Sequence, residues 1–203
     1  MNKLTFFLQL PYVDKKMMLR KIFLMPLVKR YYGYIGKGSC IEKELAIRGK
    51  KDIFIGENTF IRPGARIECV NNHLGKEYSP RITIGDHVNI EQNLHMTCAE
   101  RITIENNVAI LSDVLITDIN HSYSKLNIHP LEQQLETSPV HIGEFSLIGS
   151  GSRILPGVHI GKNVVVGANA VVTKDIPDYS VAVGAPAVVI KKYDFTEKKW
   201  KKV

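Results

Sequence analysis

The sequence has few cysteines and no long hydrophobic run, and each scarcity excludes a class of protein. Its three cysteines, Cys40, Cys69 and Cys98, form no CxxC pair, so we expect no structural zinc site. A sparse, odd set of cysteines suits a reducing cytosol better than a secreted disulfide framework. No apolar run approaches the roughly 20 residues that a membrane-spanning helix needs. The apolar stretch LTFFLQL is followed by Pro11 and Asp14 rather than by a small-residue cleavage site. We therefore expect no signal peptide and a cytoplasmic protein.

The charge balance is basic. The chain of 203 residues carries 27 Lys and Arg against 20 Asp and Glu, a formal net charge of +7. Such a balance fits an ordinary solvated surface, and it also fits an anionic ligand such as a nucleotide, a phosphorylated cofactor or a membrane surface. No nucleic-acid motif is present, nor a basic patch interleaved with aromatic residues, so we expect no nucleic-acid partner. The apolar fraction of 44% suffices for one sizeable core.

Aliphatic residues recur every six positions over most of residues 35–190. The longest run in this register is Ile142, Ile148, Ile154, Ile160, Val166 and Val172. A period of six matches neither the 3.6-residue turn of a helix nor the two-residue alternation of a strand. It predicts a mainly β solenoid in which each unit supplies one short strand and one turn, so that three units close a triangular coil of about 18 residues.

Glycine often follows the aliphatic residue, which predicts a special corner. The positions are Gly36, Gly56, Gly85, Gly143, Gly149, Gly161 and Gly167. We expect a side chain to crowd the backbone there, or φ to be positive. Glu105 and Leu111 break the pattern, so their corners should differ. The period does not define the hand of the coil, and the crossover rule, obeyed in about 98% of cases, would predict a right-handed one.

Two terminal segments lack the period. Residues 1–34 are expected to form one or two short helices, interrupted by Pro11 and Pro26. Such a segment would cap the open end of the solenoid, and its mixture of apolar and basic residues leaves open a peripheral contact with an anionic membrane. Residues 191–203 are expected to form a short charged tail, for which a helix is considered. These segments flank a solenoid domain over residues 35–190.

Two insertions interrupt the solenoid. One lies between Ile67 and Ile84, and a longer one spans about residues 117–140. Insertions in solenoids emerge as loops on one face and often carry function. Both are therefore candidates for a functional site.

The C-terminal half resembles the signature of the hexapeptide acyltransferases, a superfamily that includes maltose, galactoside and serine acetyltransferases. Residues 167–192, GANAVVTKDIPDYSVAVGAPAVVIKK, are similar to that signature almost position by position. Upstream, TDINHSY followed by a polar loop and SPVHIG resembles O-acetyltransferases of surface-polysaccharide clusters. The resemblance covers roughly residues 50–192. It implies a left-handed parallel β-helix, a homotrimer with acetyl-CoA between neighbouring subunits, and a sugar hydroxyl as the acceptor.

The resemblance implies that His121, in TDINHSY, is the general base. Acetyl transfer to a hydroxyl needs a proton acceptor, a donor for the oxyanion and a thioester held in line, and the unperturbed histidine pKa of about 6.5 suits the first task. Simple solvent exposure is the ordinary explanation for a lone loop histidine. Asp118 is a candidate to orient the imidazole, with a backbone carbonyl as the alternative. Because no Gly-x-Ser-x-Gly elbow or nucleophilic cysteine motif is present, we expect direct attack in a ternary complex.

The resemblance also implies cofactor contacts. Ser150 occupies the position whose backbone N–H donates to the thioester carbonyl, and Ala168, Thr173 and Lys174 follow the pantetheine and nucleotide path. Lys191 lies where a basic residue meets the CoA phosphates. Ser150 and Ala168 are also explained as small packing residues, and the two lysines as solvated surface.

One position departs from the family pattern. Many relatives carry Trp where this chain has Leu147, and that ring flanks the reactive end of the cofactor. Leu147 removes the aromatic face, and His141 and Phe145 are the nearby candidates to compensate for it.

The acceptor contacts are less constrained by the sequence. Asn93 and His95 are candidates to face the same cleft as His121 from an adjacent subunit, and Tyr123 is a candidate to stack on a sugar.

Two other functions remain open from the sequence. A metal enzyme that resembles the γ-class carbonic anhydrases would bind zinc through three histidines from two subunits, to which His95 and His121 could contribute. A trimeric β-helix that only scaffolds other proteins is the non-enzymatic alternative. The VTKDIP and GAPA motifs favour a CoA user, so we expect no metal.

Overall fold

Three sheets whose coil strands pair in parallel form the sides of a triangular prism in the computed structural model, which describes residues 11–203. The first ten residues of the predicted N-terminal segment lie outside the described residues. Sheet I contains β1 (Tyr34–Ile35), β4 (Ile53–Ile55), β9 (Arg81–Ile84), β12 (Arg101–Ile104), β17 (Val140–Ile142) and β20 (His159–Ile160). Sheet II contains β2 (Cys40–Ile41), β5 (Phe60–Ile61), β10 (Asn89–Ile90), β13 (Ala109–Ile110), β18 (Leu147–Ile148), β21 (Val165–Val166), β23 (Ser180–Val183), β24 (Val188–Asp194) and β25 (Lys199–Lys202). Sheet III contains β3 (Ala46–Arg48), β6 (Arg66–Cys69), β11 (His95–Cys98), β14 (Leu115–Thr117), β19 (Arg153–Ile154) and β22 (Val171–Val172).

The six-residue period arises because successive coils stack in register. In sheet I, for example, Ile84 pairs with Ile104, Ile104 with Ile142, and Ile142 with Ile160. These side chains are at most 1% exposed. Full burial of each contributes about 1.5–3 kcal/mol, and β-branched side chains suit the pleated surface. The predicted solenoid is confirmed.

The corner glycines are explained by crowding. A Cβ on Gly143 would lie 2.6 Å from the carbonyl carbon of Gly161 and 2.7 Å from the nitrogen of Lys162. The alternative expectation, positive φ at these glycines, is wrong. Positive φ falls two positions later, at Gly38, Asn58, His87, Phe145, Gly151, Asn163 and Asn169, and likewise after Glu105 and Leu111, at Asn107 and Asp113. Gly, Asn and Asp tolerate this conformation best. The sequence signal for the turn is therefore the residue two positions after the corner glycine.

The N-terminal segment packs against the first coil. It comprises α1 (Tyr12–Leu19), a π-helical turn (Arg20–Leu24), α2 (Met25–Val28) and a 3₁₀ turn (Lys29–Tyr31). Met25 is buried in the core, the Arg20 side chain donates to the carbonyl of Ile41 at 2.5 Å, and Lys29 donates to that of Gly36 at 2.8 Å. Over residues 11–203, no helix is both long and apolar enough to span a bilayer.

The C-terminal tail forms strands, so the helix considered for it is wrong. β23 pairs antiparallel with β24, and β24 with β25, which extends sheet II beyond the last coil. The Asp194 side chain accepts hydrogen bonds from the backbone N–H groups of Thr196 and Glu197, at 2.8 and 2.9 Å, and thereby fixes the turn. Tyr193 faces Trp200 across the hairpin, and aromatic cross-strand pairs favour strands. The tail forms strands because the edge strand β23 of sheet II offers unpaired backbone groups with which β24 can pair.

We predict that Gly143→Ala lowers the free energy of unfolding by about 1–3 kcal/mol, because the added Cβ meets backbone that cannot rotate away. Urea denaturation measures the change. Gly75→Asn is the control, since Gly75 has positive φ and open space around its missing Cβ. Its expected change is within about 0.5 kcal/mol, and equal losses in the two variants would contradict the stacking explanation.

Candidate active site

The two insertions meet above sheet III and enclose an open cavity of about 310 Å³. The first contains the hairpin β7 (Asn72–His73) and β8 (Lys76–Glu77), and the second the antiparallel pair β15 (Ile119–His121) and β16 (Leu135–Thr137). The cavity is lined by Val70, His73, Thr97, Thr117, Ile119, His121 and Leu135. Both insertions therefore contribute to one site.

Polar contacts between the insertions fix the cavity walls. The Tyr78 hydroxyl donates to the carbonyl of Leu135 at 3.2 Å and accepts from its N–H at 3.1 Å. His73 Nε2 lies 3.0 Å from the carbonyl oxygen of Gln133. Because a carbonyl only accepts, this contact places a proton on Nε2 of His73. The first insertion thus holds the strand that pairs with the His121 strand.

His121 presents an exposed ring to this cavity. It ends β15, opposite Leu135, and its ring meets that of His73 edge-on, with centroids 5.7 Å apart and an interplanar angle of 69°. The sequence had singled out His121 but missed His73. A histidine inside the shorter insertion was the available signal, because both insertions were candidates for function.

Asp118 is buried, and its hydrogen bonds go to other partners than His121, the predicted one. Its carboxylate accepts hydrogen bonds from the backbone N–H groups of Ala99, Glu100 and Arg101 at 2.7–2.9 Å, and from the Cys98 thiol at 3.2 Å. No hydrogen bond joins it to His121 among the residues described. These contacts support a structural role, in which Asp118 secures the turn after β11 at the point where the second insertion leaves the coil.

The buried thiols are unsuited to nucleophilic chemistry. Burial, followed by the neighbouring Asp118 carboxylate, raises the pKa of the Cys98 thiol. Burial likewise raises the pKa of Cys69 to about 12. A thiol that stays protonated is a poor nucleophile, which fits the expected direct attack.

The predicted acceptor residues lie outside the cavity that His121 of the same chain lines. Asn93 and His95 line a neighbouring cavity of about 240 Å³ together with Arg153. His95 Nε2 is buried without a hydrogen-bond partner among the residues described, and burial, then the Arg66 charge, lowers the pKa of His95. His95 and Thr97 share one face of β11, so the two cavities adjoin at about 7 Å along the strand. Tyr123 is 79% exposed.

Asn93 has a structural explanation. Its φ is 61°, and its side-chain amide donates to the Asp113 carboxylate at 3.0 Å. It is therefore a corner residue of the coil.

The residues predicted to bind the cofactor lie on sheet II and at the corners that follow sheets II and III. Leu147 points outward from β18 and is 36% exposed, and Lys191 points outward from β24. Ser150, Ala168, Thr173 and Lys174 lie at the corners beyond β18, β21 and β22. The last three of these are exposed, and Ser150 is half-buried.

His141, one of the two suggested substitutes for the missing Trp, is not on the face of Leu147. His141 belongs to sheet I, where it stacks on His159 with ring centroids 4.5 Å apart and lies 3.3 Å from the Glu105 carboxylate. Burial, then the neighbouring His159, lowers the pKa of His141. Phe145 is an exposed corner residue with φ of 59°.

An exposed histidine in a cavity lined by both insertions is compatible with a transferase site, and comparisons with known proteins define the class. Residues 139–174 match the family model described as bacterial transferase hexapeptide (six repeats). WbbJ of Escherichia coli K12, named for a proposed lipopolysaccharide biosynthesis O-acetyl transferase role, is 37% identical over 163 residues, which cover 77% of this chain and 80% of WbbJ. The galactoside O-acetyltransferase of Lactococcus lactis IL1403 is 35% identical over 153 residues, covering 74% and 68% of the two chains.

Solved structures agree on the fold. The maltose O-acetyltransferase of Clostridium difficile 630 is 29% identical, with a TM-score of 0.56, and the match covers 94% of this chain and 82% of that chain. The Bacillus cereus N-acyltransferase AntD, solved with dTDP and 3-hydroxybutyryl-CoA, has a TM-score of 0.69 at 22% identity, covering 85% and 89% of the chains. That likeness shows the fold alone.

The chain belongs to the hexapeptide-repeat acyltransferase family. Its coil is the left-handed parallel β-helix of that family, as the resemblance implied, and the right-handed coil predicted from the crossover rule is wrong. The protein is an acetyltransferase.

We predict that Asp118→Asn lowers the free energy of unfolding by about 2–4 kcal/mol, because one acceptor oxygen becomes a donor that faces other donors. Urea denaturation measures it. Asp86→Asn is the matched control: Asp86 accepts from the Glu57 N–H at 2.7 Å, and Asn106 makes the same contact one coil away. An Asp118→Asn protein of normal stability with an altered pH–rate profile would instead assign Asp118 to the orientation of His121.

Proposed function

We propose that the protein transfers an acetyl group from acetyl-CoA to a sugar hydroxyl of a surface polysaccharide or its precursor, with His121 as general base. The observation that carries the proposal is the exposed His121 ring in a cavity that both insertions enclose. The relatives named for lipopolysaccharide O-acetyl transfer and galactoside O-acetylation support a carbohydrate acceptor.

The mechanism is direct attack of the sugar hydroxyl on the thioester carbonyl. His121 accepts the hydroxyl proton as the bond to the carbonyl carbon forms, and the CoA thiolate leaves. The cavity of about 310 Å³ matches the lower end of the range for small-molecule sites. The edge contact of His73 restricts the His121 ring, so we assign His73 a positioning role.

The oxyanion is assigned to the backbone N–H of Ser150. The N–H groups on either side, of Gly149 and Gly151, donate to the carbonyls of Val166 and Ser112, both at 2.9 Å. The Ser150 N–H has no backbone acceptor within residues 11–203. A free backbone donor of this kind suits a developing negative charge.

The cofactor would follow the remaining predicted contacts, Leu147, Ala168, Thr173, Lys174 and Lys191. Asn93 and His95 are kept as candidate acceptor contacts that face the His121 cleft of an adjacent subunit, and Tyr123 as a candidate to stack on a sugar. An extended glycan could reach from one cavity to the other.

The proposal includes a homotrimer with active sites between subunits, in the cytoplasm. The proposal also includes a peripheral membrane contact through the N-terminal segment. Ile22, Phe23 and Leu27 are 51–68% exposed there, and the neighbouring lysines and arginines would favour anionic lipids.

We predict that His121→Ala lowers kcat at least about 100-fold with the dissociation constant for CoA unchanged, because a general base typically contributes 10²–10⁴. Steady-state assays with acetyl-CoA and a panel of sugars and lipid-linked glycans measure turnover, and calorimetry measures CoA binding. His129→Ala is the control, since His129 is a second histidine of the same insertion, and it should retain full turnover.

Other outcomes would assign another function. Full turnover by His121→Ala would exclude His121 as the base. Stoichiometric zinc in the purified protein would favour the metal-enzyme alternative, to which His95 and His121 could contribute ligands across subunits. Failure of the unaltered protein to bind CoA would favour a scaffold.

A further inference from the structure

An aromatic pocket closes the C-terminal end of sheet II, and no predicted cofactor residue lines it. Its volume is about 180 Å³, and it is lined by Asn163, Tyr179, Tyr193, Phe195 and Trp200. Three ring pairs meet edge-on, with centroids 4.8–5.4 Å apart. Phe195 and Trp200 remain 62% and 41% exposed. The pocket therefore offers aromatic surface on which a flat ligand can stack.

Two lysines share the face of sheet II that carries this pocket. Tyr193 lies directly opposite Trp200, and Lys191 lies directly opposite Lys202. Residues opposite one another in a sheet share a face, as do residues two apart along a strand. Lys191 and Lys202 are thus about 7 Å along the strands from the two aromatic residues.

These two lysines differ from the other lysines of β25 in their pairing. Lys199 and Lys201, on the opposite face, form ion pairs with Glu197, and Lys201 also pairs with Asp194 at 2.6 Å. Within residues 11–203, neither Lys191 nor Lys202 has a carboxylate partner. Two uncompensated positive charges beside a stacking surface favour a ligand that is both anionic and aromatic.

The same face continues toward the proposed thioester end. Leu147 pairs with Val165, Val165 with Val181, and Val181 with Lys191. Three strand spacings of about 4.8 Å separate Leu147 from Lys191, a distance of about 14 Å. Across the sheet, the apolar column of Leu147, Val165 and Val181 is therefore followed by the two lysines and then by the aromatic pocket.

We propose that this pocket is the nucleotide subsite of the cofactor: the adenine base stacks among Tyr193, Phe195 and Trp200, and Lys191 and Lys202 hold the phosphates. The inference rests on the proposed function, since it assumes CoA on this face. It adds Tyr193, Phe195, Trp200 and Lys202 to the phosphate contact that the resemblance already implied for Lys191. A carbohydrate could stack on the same rings but would leave both ammonium groups unmatched.

Trp200 provides a direct test, because it is the one tryptophan of the chain. Titration of the full-length protein with CoA should change Trp200 fluorescence along the same saturation curve that calorimetry gives. Pantetheine, which has neither the base nor the phosphates, should leave the fluorescence unchanged. Dephospho-CoA should bind more weakly than CoA. CoA binding by calorimetry with no change in Trp200 fluorescence would overturn the inference and leave the proposed function intact.

Charge variants test the lysines separately. Lys202→Ala should weaken CoA binding about 5- to 10-fold, since it removes one cation from the phosphates. Lys192→Ala is the matched control, because this substitution removes the same charge from the opposite face of the hairpin. CoA affinity should not change in this variant. Equal affinities of Lys202→Ala and the unaltered protein would overturn the phosphate assignment. Absence of CoA binding by the unaltered protein would reject the proposed function itself.

Discussion

In-register stacking of inward-pointing aliphatic side chains is the constraint on which the rest of the structure depends. Each isoleucine of a column, such as Ile104, lies directly between its counterparts Ile84 and Ile142 in the neighbouring coils. The hydrophobic gain from burying these side chains requires every coil to keep the same length per side. Extra residues must therefore leave the prism at its corners, which is where both insertions emerge.

The same register aligns the outward-facing residues in columns across the strands. A ligand that lies across a sheet meets one residue from each coil, so a site can be built from residues far apart in sequence. Leu147, Val165, Val181 and Lys191 form such a column on sheet II. The His121 cavity is built differently, because loops rather than columns supply most of its wall.

Backbone groups stabilise the point at which the longer insertion leaves the coil. Asp118 begins the insertion and satisfies three backbone N–H groups of the coil below it. Its own carbonyl accepts from the N–H of Ser138 at 2.9 Å, which closes the base of the insertion. The position of His121, three residues later, thus depends on a buried carboxylate whose hydrogen bonds, among the residues described, all go to the coil.

The sequence predicted the features that depend on period and motif. The solenoid followed from hydrophobic periodicity, and the family resemblance identified its hand. The sequence left two explanations open for the corner glycines, crowding or positive φ. It could not decide between them, because the crowding comes from the neighbouring coil and local sequence does not display it. The crossover rule failed because it describes sheets closed by helices rather than short coils.

The features that depend on tertiary contacts could not be predicted. Nothing in the spacing of Asp118 and His121 indicated that the carboxylate turns into the coil, toward the N–H groups of residues 99–101. The contact between His73 and His121 depends on how the two insertions pack together. The two histidines are 48 positions apart in the chain. The tail became a hairpin because sheet II offered an edge, which is a property of the folded prism.

A crystal structure of the assembled protein with CoA bound tests the central claim most directly. The account predicts the CoA sulfur at the mouth of a cavity that contains His121, close enough for an acceptor hydroxyl to fit between the sulfur and the imidazole at hydrogen-bond distance, about 2.6–3.2 Å from the ring. A sulfur atom that lies far from every His121 ring of the assembly would contradict it.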